Sequence, residues 1–119
     1  EVKKTEAAEI RELMAQTFTM DELMARGKAV YERNCLACHG ANGEGGVGTA
    51  IAGSPYATGD VSAHLEIGIN GVPGTAMQAF GGQINDVDMA AVITYQRNAF
   101  GNNMGDMVQP IDVYNHKRG

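Results

Sequence analysis

The residues of this chain most suited to chemistry are the run Cys35-Leu36-Ala37-Cys38-His39, which holds the only two cysteines in the sequence. Three positions apart, the thiols share one side of a helical turn, and the imidazole follows immediately. That geometry suits two thioethers to the vinyl groups of a haem, with His39 reaching the iron from the same side, and Cys-X-X-Cys-His is the attachment signature for haem c. Three other chemistries fit less well. A thioredoxin-like pair needs a βαβ setting, and no strand pattern is present. Zinc needs about four ligands, and His64 and His116 lack the spacing. A disulfide across two residues closes too short a loop to stabilise much.

An electron-carrying iron is best held at both axial positions, so a sixth ligand is expected. The candidates are Met77, Met89, Met104, Met107, His64 and His116. Met89 falls at a core position of a helix, where methionine is a ready filler. Met104, Met107 and His116 lie in a polar tail, and His64 sits early in a short helix. Met77 follows the stiff approach Pro73-Gly74-Thr75-Ala76 and precedes Phe80, and it is the preferred ligand. A thioether in this place raises the potential relative to a second histidine.

These residues need elements to hold them. Thr19 and Glu22 form a capping box for a helix to about Asn34, with Leu23, Met24, Gly27, Val30 and Tyr31 on one face. Residues 40–59 are a Gly-rich loop without the spacing or Lys of a phosphate loop. Asp60 is expected to cap a short helix through His64, Leu65 and Ile67, ended by Gly68 and the Asn70-Gly71 turn. After the Met77 loop, Asn85 caps the last helix, with Asp88 at its third position and Ile84 stapled to Met89. Met89, Val92, Ile93, Tyr95 and Gln96 give its face, and Phe100-Gly101 ends it. Residues 1–18 read as a linker or leader helix with a narrow stripe of Ile10, Leu13, Met14 and Phe18, residues 19–101 as the domain, and 102–119 as a polar, loop-like extension.

Bulk properties agree with a cofactor-filled core. Three Phe, four Tyr, no Trp and sixteen Gly leave a small domain short of buried surface and rich in backbone entropy, so it needs a staple. No apolar run is long enough to span a membrane. The opening has neither an initiator Met nor a signal-like stretch, and reads as a mature form or an excised piece. Residues 1–34 carry six bases and seven acids, whereas 35–115 carry seven acids and Arg97 alone. Nucleic acid is therefore excluded as a partner, and a partner basic at the contact is expected.

The order of helix, Cys-X-X-Cys-His, Gly-rich loop, short helix, Met loop and final helix resembles a class I c-type cytochrome. The resemblance implies an all-α fold, one covalent haem c held by Cys35, Cys38, His39 and Met77, and crossed N- and C-terminal helices meeting at Gly27, Tyr31, Val92 and Tyr95. The stretches Asn70 to Gly81 and Ala91 to Asn98 further resemble the C-terminal haem c domain of caa-type cytochrome c oxidase subunit II, over about residues 20–112. That implies an electron-transfer domain on the periplasmic side of the bacterial inner membrane, not an enzyme by itself. It would take electrons from a donor cytochrome or cytochrome bc complex and pass them to the copper centre of subunit II. A free-standing diffusible cytochrome c is the alternative. Two positions depart from the family: residues 48–53 lack the proline whose carbonyl orients the axial histidine, and Gln78 stands where a proline often follows the ligand methionine.

Overall fold

The computed structural model describes residues 5–118; residues 1–4 of the expected leader and Gly119 of the extension lie outside the described residues. All regular elements of the described residues are helices, joined by loops: α1 (Glu6–Ala15), α2 (Met20–Asn34), α3 (Leu36–His39), α4 (Val61–Asn70), α5 (Asp86–Asn98) and α6 (Pro110–Arg118), with no strand. This is the all-α class I cytochrome c arrangement that the motif order implied.

The start of α2 forms as its sequence dictates. Thr19 Oγ1 accepts the Glu22 N–H at 3.2 Å, and Glu22 returns a carboxylate oxygen to the Thr19 N–H at 2.8 Å. Asn85 likewise accepts the Asp88 N–H at 2.7 Å to open α5. The two helices cross at Gly27. A Cβ there would press on the Ala91 carbonyl oxygen and sit 2.6 Å from Tyr95 Cβ, so only hydrogen lets the backbones come this close. Beside the crossing, Tyr31, Tyr95 and Phe100 cluster with ring centroids 5.2–5.7 Å apart, Tyr95 and Phe100 edge to face and Tyr31 tilted against both. Phe100 adopts φ 60°, a left-handed conformation costly for an aromatic residue, and its ring closes this cluster.

Three expectations need correcting. Asp60 stands at the N-cap of α4, but its side chain makes no capping bond. Gly68 does not end that helix; α4 runs on to Asn70 and stops at Gly71, whose φ is 70°. Gly68 instead lets α5 approach, since a Cβ would meet Ile93 Cδ1 at 3.1 Å and Met89 Sδ at 3.3 Å.

The segment after Asn102 is not all loop either. Its second half forms α6, with Pro110 at the first helical position, where its missing N–H costs nothing, and with Pro110 and Val113 buried. The connection before it is held by polar groups of α5. Thr94 Oγ1 donates to the Val108 carbonyl and accepts the Val108 N–H, at 3.3 and 2.9 Å. Asn98 bonds the Asp106 carbonyl and the Gly105 N–H. Thus α5 is buried on nearly every side, and α6 packs on α4 and α5. In α1, Ile10 and Leu13 are half-buried while Met14 remains exposed.

Candidate functional site

Cys35 ends α2, its N–H still bonded to the Tyr31 carbonyl at 2.8 Å, and His39 closes the next turn on the Cys35 carbonyl at 3.0 Å. Cys35 is buried, Cys38 is exposed, and both are free thiols. Burial, and then the neighbouring Cys38, push the Cys35 thiol up to about 11.

The Gly-rich loop folds back over this turn. Gly45 and Gly48 donate backbone N–H groups to the His39 and Cys38 carbonyls, both at 2.7 Å. Tyr31 Oη donates to the Gly40 carbonyl at 2.7 Å, tying the loop to the helix crossing. These bonds bring the Thr49 carbonyl to 2.6 Å from His39 Nδ1. The carbonyl left open by the missing proline is therefore that of Thr49. With Nδ1–H donating to it, Nε2 keeps its lone pair free for a metal. Gly48 leaves room for the ring, since a Cβ there would stand 3.0 Å from His39 Cε1.

Met77 lies in a loop braced at several points. Thr75 Oγ1 donates to the Val72 carbonyl at 2.7 Å and accepts the Met77 N–H at 3.2 Å, while the Val72 N–H reaches the Met77 carbonyl at 3.1 Å. The Phe80 and Gly81 N–H groups bond the Gly68 and Ile69 carbonyls at the end of α4. Gln78, in the place of a proline, accepts a hydrogen bond from Gln83 at 2.9 Å.

Cys35, Cys38, His39 and Met77 all line one cavity of about 430 Å³. Of the other axial candidates, Met89 and His64 also reach its wall, and Met104, Met107 and His116 do not. Met89 is fully buried, its sulfur packed against Gly68. His116 is engaged by Glu66 at 3.0 Å. The wall is otherwise largely apolar, including Ile67, Phe80, Ile84, Val92 and Ile93, while Val47, Tyr56 and Val72 stand exposed at its margin. Two free thiols, an imidazole with one ring nitrogen already fixed, and a half-buried thioether facing an apolar space are a donor set that fits a haem.

Sequence reasoning missed three features here. One is the Thr49 carbonyl, which no side-chain pattern could show. A second is the setting of Arg97, which the sequence marked only as the single base of residues 35–115. Arg97 is 1% exposed, paired with both carboxylate oxygens of Asp106 at 2.9 Å, and donates to the Tyr56 and Gly59 carbonyls. The third is a buried contact of 2.7 Å between His64 Nε2 and Gln96 Oε1; the signal for it was a Gln at a core position of the last helix.

Helix order and donor cavity together define a c-type cytochrome domain. The chain belongs to the family described as cytochrome C oxidase, cbb3-type, subunit III, whose model matches residues 22–95. Such membership implies haem c with its iron and a role in electron transport. The chain is 34% identical over 71 residues to the dihydro-heme d1 dehydrogenase of Pseudomonas aeruginosa, covering 60% of this chain and 14% of that protein. It is 32% identical over 84 residues to the cbb3-type cytochrome c oxidase subunit CcoP of Azospirillum brasilense, covering 64% of this chain and 28% of the relative. It thus spans less than a third of either relative's length. The solved cytochrome cL of Methylophaga aminisulfidivorans is similar in fold, with a TM-score of 0.58 over 82% of this chain and 67% of that one, at 21% identity.

Proposed function

We propose that this chain transfers single electrons through one haem c, bound covalently by Cys35 and Cys38 and ligated axially by His39 and Met77. The observation that carries the reading is the convergence of these four side chains on one apolar cavity. When bound, the haem supplies an iron that takes up and releases one electron. The chain's own residues do the rest. Thr49 fixes the His39 ring, and the braced 72–81 loop holds the Met77 sulfur so that little moves between oxidation states. Apolar walls exclude water, which with the thioether ligand favours a high potential. Met89 and His64 are weaker ligand candidates because Gly68 and Gln96 already engage them.

For the acceptor, we propose a terminal oxidase on the periplasmic side of the bacterial inner membrane, with the domain tethered if it is part of that complex. Among the described residues no helix is long and apolar enough to cross a membrane. The wording of residues 70–81 and 91–98 favours the copper centre of a caa-type subunit II; the family match favours an oxidase of cbb3 type. The donor is a cytochrome or bc complex basic at its contact. That is supported by the acidic balance of residues 35–115, where the one base, Arg97, is buried against Asp106; Asp86 and Asp88 are paired with Lys117 and Arg26 from outside that stretch.

The test is to express the chain with a haem c attachment system. Haem that survives acid acetone, a weak far-red methionine-to-iron band and no carbon monoxide binding at neutral pH are expected. The reduced domain is then mixed with a soluble caa-type copper-centre domain and, separately, with a cbb3 oxidase stripped of subunit III. Faster oxidation by the first supports the subunit II reading, and by the second the subunit III reading. Oxidation by neither sinks the oxidase role.

A further inference from the structure

Among the apolar side chains of the cavity wall stand two buried polar ones, His64 on α4 and Gln96 on α5, 4% and 8% exposed. Nothing in holding a haem by two cysteines, a histidine and a methionine requires them. Their contacts run in one direction. His64 Nε2 lies 2.7 Å from Gln96 Oε1, and Gln96 Nε2 lies 3.9 Å from Cys35 Sγ. His64 Nδ1 is buried with no partner, so no donor stands behind the ring. A neutral imidazole has one N–H; placed on Nε2, it satisfies Gln96 Oε1 and leaves an acceptor at the orphaned atom. Burial favours that neutral form and pushes His64 down to about 4.

The chemistry of the last link distinguishes a thiol from a thioether. A thiol carries a proton and could face either end of an amide. A thioether sulfur has no proton and only accepts, so an amide oxygen turned toward it would set lone pair against lone pair. The orientation enforced by His64 presents the amide N–H.

We propose that His64 and Gln96 are positioning residues that aim a side-chain N–H at the haem-bearing sulfur of Cys35 and thereby raise the reduction potential. This rests on Cys35 being an attachment site, as proposed above. Reduction adds one electron and no proton to the centre, and the positive end of the N–H dipole at its edge favours that added charge. Chained hydrogen bonds in a low-dielectric wall polarise one another, so the two residues act as a unit.

The experiment uses the full chain carrying covalent haem, titrated spectroelectrochemically at pH 7. Gln96→Met keeps length and removes the donor. It should shift the ferrous-to-ferric ratio against a fixed mediator toward ferric by roughly threefold, about 30 mV for one electron. His64→Leu frees the amide to turn and should shift the ratio in the same direction. The double variant should match Gln96→Met alone, since the two act through one N–H. His64→Gln, which retains an N–H, should restore most of the potential.

On the unaltered protein, NMR should show a slowly exchanging Gln96 amide proton close to the thioether group at Cys35, and His64 protonated on Nε2. This measurement needs no variant to fold. Covalent haem with an unchanged potential in Gln96→Met, or additive shifts in the double variant, overturns the inference while leaving the attachment reading intact. Haem lost in acid acetone from the unaltered chain overturns both.

Discussion

Replacing Gly27 by Ala tests the helix crossing on which the haem cavity depends. In an exposed helix interior this change would stabilise by about 1 kcal/mol, because Ala loses less backbone entropy. At Gly27 the new methyl would meet the Ala91 carbonyl oxygen and lie 2.6 Å from Tyr95 Cβ. Neither atom belongs to the far end of a side chain that could swing away. Relief therefore requires α2 and α5 to separate, loosening Leu23, Val30, Tyr31 and Val92, which are 1–3% exposed. Overpacking of this kind costs about 1–3 kcal/mol, and partners fixed in a backbone put it at the upper end. The clash outweighs the propensity gain, for a net loss of about 2 kcal/mol, and Gly27→Val should lose more. Guanidinium unfolding of the haem-loaded protein, followed by far-UV circular dichroism, reads this as a lower midpoint at unchanged slope. Gly82→Ala is the control, since nothing lies within 4 Å of its Cβ position, and should change stability by less than about 0.5 kcal/mol. A Gly27→Ala midpoint equal to or above that of the unaltered protein would refute the close crossing.

Met77→Ala should keep its haem in acid acetone but lose the far-red band and fall in potential; survival of the band would transfer the ligand role to another methionine. His64, depressed from 6.5 to about 4 by burial, takes up a proton on unfolding between those values. Its contribution to stability is therefore complete above pH 6.5 and lost as pH falls toward 4, by about 3 kcal/mol; unfolding free energies of His64→Gln should lack that share of the pH slope. Arg97→Met leaves the Tyr56 and Gly59 carbonyls and Asp106 without their donor, and should destabilise by about 2–4 kcal/mol in the same assay. A loss below about 0.5 kcal/mol would mean that the loop over the cavity does not depend on the guanidinium.

The sequence alone determined the parts whose chemistry is local. Cys35, Cys38 and His39 are neighbours in the chain, and Thr19 with Glu22 and Asn85 with Asp88 cap their helices within three residues, so adjacency carried the information. The pairing of Gly27 with Tyr95 was readable because the family resemblance supplied the long-range partner. Tertiary structure decided what depends on meetings between distant segments: the Thr49 carbonyl beneath His39, the Asp106 carboxylate around Arg97, and the hydrogen-bonded pair of His64 and Gln96. It also decided α6, whose few apolar residues give little helical pattern and whose burial comes from packing on α4 and α5. Arg97 and His64 show the difference most clearly, since neither has a neighbour in sequence that marks it as interior. Each is buried where partners from other segments, Asp106 and the Tyr56 and Gly59 carbonyls for Arg97 and Gln96 for His64, supply the hydrogen bonds that offset its desolvation, and those partners are fixed by the fold as a whole.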